Sequence, residues 1–253
     1  MDVRTFTVGP VQENCHIARR DGAREAVVID PGDEAERLLE AIAALDLEVA
    51  AILLTHTHFD HVGAVAPVAR ATGAEVWCPE IEAPVLADIM RFVPWDGFGP
   101  FESYDADHLV RGGETLELAG LEIEVPVLAD IMRYVPWDGF GPFESYDADH
   151  VVAGGETLRL AGLDIEVLFT PGHSPGHVTY SIPSEQAVFS GDVLFAGSIG
   201  RTDLPGGDHA TLMRTLASLA ETLPDETVVY PGHMQTTTIG RERASNPFLQ
   251  QLA

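Results

Sequence analysis

The segment Thr55–His61, THTHFDH, places three imidazoles and one carboxylate within seven residues, directly after the apolar run VAAILL. His56 and His58 are two apart on a chain leaving a strand, so both rings project the same way if that chain stays extended. Asp60 and His61 then enter the next helix, whose turn brings them back towards the same point. Imidazole with carboxylate suits zinc, iron or manganese, and neutral imidazole is available near pH 7. A polar loop with chance histidines is the competing reading, and three further strand ends weigh against it. FTPGHSPGH offers His173, VFSGDVLF offers Asp192 and VVYPGHM offers His233. Each follows a β run and a small residue, where the backbone leaves room for close approach. A lone histidine is more often a cap or a core residue than a ligand. Four strand-end groups able to converge reverse that expectation.

The elements that must place these groups read as interleaved strands and helices. TFTV, EAVVID, VAAILLT, EVWC, IEVLFT, VTYSI, AVFSGD and TVVYPG are short, rich in β-branched residues and bounded by Gly, Pro or Asp. EAERLLEAIAAL, HVGAVAPVARAT, PVLADIMRF and HATLMRTLASLAETL carry apolar residues at helical spacing. Together they predict an α/β arrangement of sheets covered by helices. A chain of 253 residues can bury one substantial core, so residues 1–253 are expected to form one domain.

Composition narrows the chemistry. Fourteen basic residues against 40 acidic ones leave a net charge of -26, and all fourteen are arginine. The lack of lysine excludes Schiff-base and pyridoxal-phosphate chemistry. A field this negative repels phosphate backbones and anionic lipid, so neither nucleic acid nor a membrane surface is an expected partner. Cys15 and Cys78 each stand beside apolar residues and read as buried free thiols in a reducing compartment, not as a disulfide framework. The start, MDVRTFTVGP, has no basic region followed by an apolar core, and no apolar run approaches about 18 residues. A soluble, cytoplasmic protein is the expectation.

Residues 84–125 recur almost unchanged as residues 126–167, with five differences in 42 positions: Phe92/Tyr134, Leu109/Val151, Arg111/Ala153, Glu117/Arg159 and Glu122/Asp164. Solenoids of similar period need three or more copies, so a tandem duplication, natural or introduced, is the better reading. Each copy reads as a helix (PVLADIM), an aromatic, glycine-rich loop and a hairpin turning at AG. Copy 2 runs directly into LFTPGH, so its hairpin is expected to hold the place in the main sheet. Copy 1's helix follows EVWCPEIEA directly and competes with copy 2's helix for one site. About one repeat's length must then be extruded, added as a layer, or exchanged with a second molecule to give a homodimer.

The series T-H-x-H-x-D-H, T-P-G-H, G-D and P-G-H resembles the metallo-β-lactamase fold superfamily, and most closely its hydroxyacylglutathione hydrolase (glyoxalase II) branch. Here it reads Thr55–His61, Thr170–His173, Gly191–Asp192 and Pro231–His233, spanning nearly the whole chain. The resemblance implies a four-layer αββα sandwich carrying the duplicated helix-loop-hairpin as an extra segment. It implies two divalent ions, zinc first with iron or manganese as alternatives. His56, His58 and His173 would hold one ion, Asp60, His61 and His233 the other, and Asp192 would bridge them. His61 and His173 are 112 residues apart, or 70 without one copy, and the chain without it would be 211 residues long. The insertion therefore removes no ligand.

Two ions sharing a carboxylate can acidify a water and polarise a carbonyl. A thiolate leaves without a strong general acid, so the implied reaction is hydrolysis of a small-molecule acyl thioester such as S-lactoylglutathione, or of a related lactone or ester. Asp60 and Asp192 are the carboxylates expected to take part in catalysis. Asp30, in VVIDPG, either orients a ligand imidazole or is an ordinary turn aspartate. His177 is structural support or a substrate-side hydrogen bonder, not a ligand. Arg201, in GSIGRTDLPGG, occupies the place of a basic residue that binds substrate in the family, unless Asp203 holds it. His108, His150 and His209 read as solvated or capping. The aromatic loops (Trp95 to Tyr104 and Trp137 to Tyr146) either wall a pocket or pack on the core. The chain ends 20 residues past His233, so the helical domain that contacts glutathione in larger relatives is expected to be absent. Two other activities stay open: a mononuclear iron persulfide dioxygenase using His56, His173 and Asp192, and a non-catalytic variant blocked by the extra segment. No motif speaks for β-lactam hydrolysis.

Overall fold

The computed structural model describes residues 1–89 and 148–252, together with the backbone of strands 115–118 and 121–124. Both aromatic loops and His108 lie outside the described residues. The chain runs through β1 (Asp2–Val8), β2 (Glu13–Arg19), β3 (Glu25–Ile29), α1 (Ala35–Ala44), β4 (Glu48–Leu53), α2 (Phe59–Val62), α3 (Val65–Thr72), β5 (Glu75–Pro79) and α4 (Ala83–Leu86). It continues through β6 (Thr115–Leu118), β7 (Leu121–Glu124), β8 (His150–Val152), β9 (Thr157–Leu160), β10 (Leu163–Phe169), β11 (Val178–Ile182), β12 (Ala187–Gly191), β13 (Leu194–Phe195), β14 (Ser198–Ile199), α5 (His209–Thr222), β15 (Val228–Pro231), β16 (Thr237–Thr238) and α6 (Ile239–Ser245).

Two six-stranded sheets form, in the orders β1-β2-β3-β4-β5-β8 and β16-β15-β12-β11-β10-β9. The period of two along each strand sorts side chains into three apolar layers. Val28 of β3, Ile52 of β4 and Leu54 just after it face outward onto Leu38 and Ile42 of α1 and Val65, Val68 and Ala69 of α3. Their alternates, Val27, Ile29, Ala51 and Leu53, face inward onto Ile165, Val167, Val178, Tyr180 and Phe189 of the second sheet. Val188 and Val229 face the other way, onto Leu212, Leu216 and Leu219 of α5. Central strands covered on both faces need apolar residues at nearly every position, which is why EAVVI and AVFSG read as continuous runs. The result is the four-layer αββα sandwich of the α/β class.

The repeat divides its two copies between different jobs. Copy 1 supplies α4, and Leu86 and Ile89 are buried in the outer layer of the first sheet. Copy 2 supplies β8, which pairs with β5, and the β9–β10 hairpin, which joins the second sheet as expected. The hairpin of copy 1, β6–β7, pairs only with itself among the described residues. His150 keeps a side-chain exposure of 37 % while it lies 2.6 Å from Glu75 and stacks on Trp77 at 3.8 Å. The cap of α5 is Asp208, whose side chain accepts from Thr211 N, while His209 opens the helix proper. Cys15 and Cys78 are free and buried. Among the described residues no helix is long and apolar enough to cross a membrane.

Candidate metal centre

Ligand-type side chains from both sheets meet at one rim. The chain leaves β4 through Thr55–His58 into α2, a single turn bearing Asp60 and His61, while His173, Asp192 and His233 follow β10, β12 and β15. β12 runs parallel to β15 and antiparallel to β11, which is itself antiparallel to β10, so these three strands end on the same side.

His56, His58 and His173 form the first set. His58 Nδ1 lies 3.1 Å from His56 Nε2 and 2.8 Å from His173 Nε2, and the three rings stand nearly perpendicular to one another. Burial, reinforced by the His173 ring, pushes His58 down to about 3, and burial with the neighbouring imidazoles holds His56 well below its ordinary value. Both are therefore neutral at pH 7 and offer lone pairs. Asp60, His61 and His233 form the second set, with Asp60 Oδ2 3.4 Å from His233 Nε2 and 3.9 Å from His61 Nε2. Asp192 stands between the sets: Oδ1 is 3.5 Å from His61 Nε2, and Oδ2 is 3.5 Å from both His173 Nε2 and His233 Nε2.

The tautomers follow from the partners, because a carbonyl or carboxylate oxygen can only accept. His173 Nδ1 donates to Arg201 O at 2.7 Å, His233 Nδ1 to Gln12 O at 3.2 Å and His61 Nδ1 to Asp30 Oδ2 at 3.1 Å. Thr55 Oγ1 donates to Asp30 Oδ2 at 2.7 Å and so accepts from His56 Nδ1 at 3.1 Å. Each of these four rings thus presents Nε2 to the centre. Asp30, at φ 50°, also accepts from Thr55 N, so a strained strand end holds one carboxylate behind two imidazoles.

The donor set fits divalent cations on an independent ground. His61 Nε2 and Asp192 Oδ1 are buried and have no hydrogen-bond partner. Orphaned buried polar atoms are costly, and a cation between them would satisfy both. Gly232 leaves the space open: a Cβ there would stand 2.4 Å from Asp192 Oδ1 and 2.7 Å from His61 Cε1. Gly191, at φ 46°, does the same beneath the centre, where a Cβ would meet Thr55 Oγ1 at 2.4 Å. Burial disfavours charge on His233, yet pairing with Asp192 and Asp60 pushes it up to about 10. Burial alone would raise Asp192, but His61 and His233 hold it well below the carboxylate range. With a side-chain exposure of 22 %, His233 keeps the centre open to solvent, and the Phe195 ring stands edge-on to it at 5.9 Å.

For two residues the contacts favour one of the readings that the sequence left open. His177 is buried, with Nδ1 3.0 Å from Thr170 Oγ1, Nε2 accepting from Asp192 N at 3.1 Å and its ring stacked on His56 at 4.9 Å. Both nitrogens are engaged inside the protein, so it supports the centre and is not available to substrate. The Arg201 guanidinium makes two 2.7 Å bonds to Asp203, whereas its backbone carbonyl holds His173.

The sequence reading missed the start of β2. Gln12, at φ 61°, supplies the carbonyl for His233; Asn14 donates through Nδ2 to Met234 O at 2.7 Å and through its backbone to Gly232 O at 2.7 Å. Only the burial of polar residues in VQENCHIAR would have revealed this, and burial is not visible in composition. Glu13 is fully buried with neither carboxylate oxygen hydrogen-bonded, and burial with Asp30 and Asp60 nearby drives its pKa well up.

Comparison with known proteins agrees with this geometry. The family model described as "Metallo-beta-lactamase superfamily" matches residues 8–233. The hydroxyacylglutathione hydrolase GloC of Haemophilus influenzae is 33% identical over 98% of this chain and 98% of its own. Among solved structures, the BLEG-1 B3 metallo-beta-lactamase superposes with a TM-score of 0.75 at 34% identity, covering 98% of this chain and 99% of that one. The di-iron-bound form of TTHA1623 superposes at 0.68 with 37% identity, covering 97% and 100%.

Proposed function

This chain belongs to the metallo-beta-lactamase superfamily as a metallo-hydrolase, and from that premise we propose that it hydrolyses an acyl thioester of the S-lactoylglutathione type with two zinc ions. His56, His58 and His173 hold one ion in this reading, Asp60, His61 and His233 the other, and Asp192 is shared. The carrying observation is Asp192 itself, whose two oxygens stand 3.5 Å from His61 on one side and from His173 and His233 on the other. The presence of the second set favours two ions over one. When bound, the ions supply an acidified water and a Lewis acid for a carbonyl.

The chain's own part is placement. Asp30, Thr55, Gln12 O and Arg201 O hold four imidazoles with Nε2 towards the centre, so the rings need no reorientation when the ions bind. His177 holds the Asp192 backbone from below. Phe195 offers an apolar wall beside His233 for an acyl chain. A thiolate departs without a strong acid, which suits a centre whose titratable groups are already engaged as ligands. The similarity to hydroxyacylglutathione hydrolase GloC supports the thioester class. Arg201 is held by Asp203, so recognition of glutathione carboxylates would have to break that pair.

A second reading, β-lactam ring opening at the same centre, is favoured by the likeness to BLEG-1, and iron in place of zinc by the likeness to the di-iron form of TTHA1623. Metal analysis of the purified chain, run beside thiol release from S-lactoylglutathione and nitrocefin turnover, separates them. Close to two zinc ions per chain with thiol release is the expected result. Nitrocefin turnover without thiol release moves the assignment to the second reading. One iron per chain, with oxygen uptake on glutathione persulfide, sinks both.

A further inference from the structure

Glu82 belongs to none of the motifs above, yet it is buried at 4 % exposure directly behind the first ligand set. Its carboxylate has three donors. Thr57 Oγ1 donates to Oε2 at 2.8 Å, Ser174 Oγ to Oε1 at 2.6 Å and Gly176 N to Oε1 at 2.8 Å. Thr57 lies between His56 and His58, and Ser174 follows His173. One carboxylate therefore ties the loop after β4 in the first sheet to the loop after β10 in the second. Thr57 and Ser174 are themselves buried, so neither donor has water as a substitute partner. The fit is close enough that a Cβ on Gly176 would stand 2.6 Å from Ile81 Cβ and 2.8 Å from Glu82 Cγ.

We propose that Glu82 is the positioning residue of the first ion: its carboxylate sets the distance between the His56–His58 pair and His173. Its carboxylate hydrogen-bonds to Thr57, Ser174 and Gly176 and to no imidazole among the described residues, so it acts through the two loops. This rests on the reading that those three histidines hold an ion. The physical reason is that the three nitrogens come from two sheets, and backbone pairing within either sheet does not fix their separation. A charged acceptor shared by both loops does, because charge-assisted bonds are short and directional. Partners one step behind metal ligands are worth about ten- to a hundredfold in metal affinity.

The test uses the full chain loaded with cobalt(II), read by its visible absorption and by chelator competition, with thermal unfolding of the metal-free protein as the folding control. Glu82→Ala is expected to weaken one of the two bound ions by about ten- to a hundredfold and to change the cobalt spectrum. Glu82→Gln keeps an oxygen for Ser174 and Gly176, so it should recover most of the affinity. Thr57→Val and Ser174→Ala each cut one tie. Each should give a smaller loss of the same ion, which keeps the proposal testable if Glu82→Ala does not fold. Unchanged affinities and spectrum in Glu82→Ala, or in both single-tie variants, overturn it. A wild-type chain that binds no cobalt overturns it together with the ligand reading. A wild-type chain that binds two ions without releasing thiol removes only the thioester assignment.

Discussion

His16 shows what burial does to a single residue near the centre but outside it. Its Nε2 donates to Pro231 O at 3.1 Å and its Nδ1 accepts from Thr5 Oγ1 at 3.0 Å. Burial pushes its pKa down to about 4, against the opposing pull of the Pro231 carbonyl. The folded ring stays neutral where the unfolded one, with a pKa of about 6.5, takes up a proton. The unfolded state thus binds more protons between those values, and stability falls as pH drops from about 6.5 to about 4. The whole gap corresponds to about 3 kcal/mol. His16→Gln retains an amide donor for Pro231 O, and urea unfolding at pH 7.5 and pH 4 should show its stability falling by about 3 kcal/mol less than that of the wild type. Equal losses would show that His16 does not carry this sensitivity. The seven ligand-type residues were legible because each lies in a short motif at or soon after a strand end. Gln12, Asn14 and Glu82 were not, since they act through one carbonyl, one amide and one shared carboxylate, and only their contacts distinguish them from surface residues.

Elements hold these residues in register, and α6 illustrates how. Glu242 is fully buried; it accepts from Thr237 Oγ1 at 2.6 Å, Gly197 N at 2.8 Å and Asn246 Nδ2 at 2.9 Å. The helix is thereby pinned to β16 and to the turn between β13 and β14. That turn leads to Gly200 and Arg201, whose carbonyl fixes His173. Glu242→Ala leaves three donors without an acceptor and should cost about 4 kcal/mol. In thermal unfolding this is a fall of about 10 °C for a chain of this size. A fall below about 2 °C would mean that water replaces the carboxylate. Most of the longer elements were readable from apolar period; the short strands β8, β13, β14 and β16 and the helix α6 were not, and two further cases show why. β2 carries Glu13, Asn14 and His16 on its buried faces and so lacks an apolar run. The helix expected over residues 61–72 breaks at Gly63 and Ala64 into α2 and α3, since one turn suffices to aim Asp60 and His61 and a separate one packs Val65, Val68 and Ala69.

At the scale of the molecule, the repeat is used once for each role. Helix α4 comes from copy 1 and strands β8 to β10 from copy 2, while the first hairpin pairs only with itself among the described residues. Deleting residues 84–125 joins Ala83 to Pro126 and restores the same PVLADIM segment after Glu82. The 211-residue chain should therefore bind the same number of metal ions as the 253-residue chain and melt at no lower a temperature. Metal analysis and thermal unfolding of the two chains check this. Loss of the ions on deletion would show that copy 1's hairpin builds the centre. If that hairpin exchanges between molecules, light scattering will find a dimer for the longer chain and a monomer for the shorter.

Periodicity and motif spacing by themselves determined the α/β class, the strand ends and the identity of the ligand-type residues, because local chemistry reports what each short segment does. Tertiary structure alone decided that Asp192 lies between two sets, that His177 is engaged by the Asp192 backbone and Arg201 by Asp203, and that Glu82 joins two loops. Those properties are distances between segments up to about two hundred residues apart in the chain, such as Gln12 and His233. Packing of one sheet on the other sets such distances, and no local pattern encodes them.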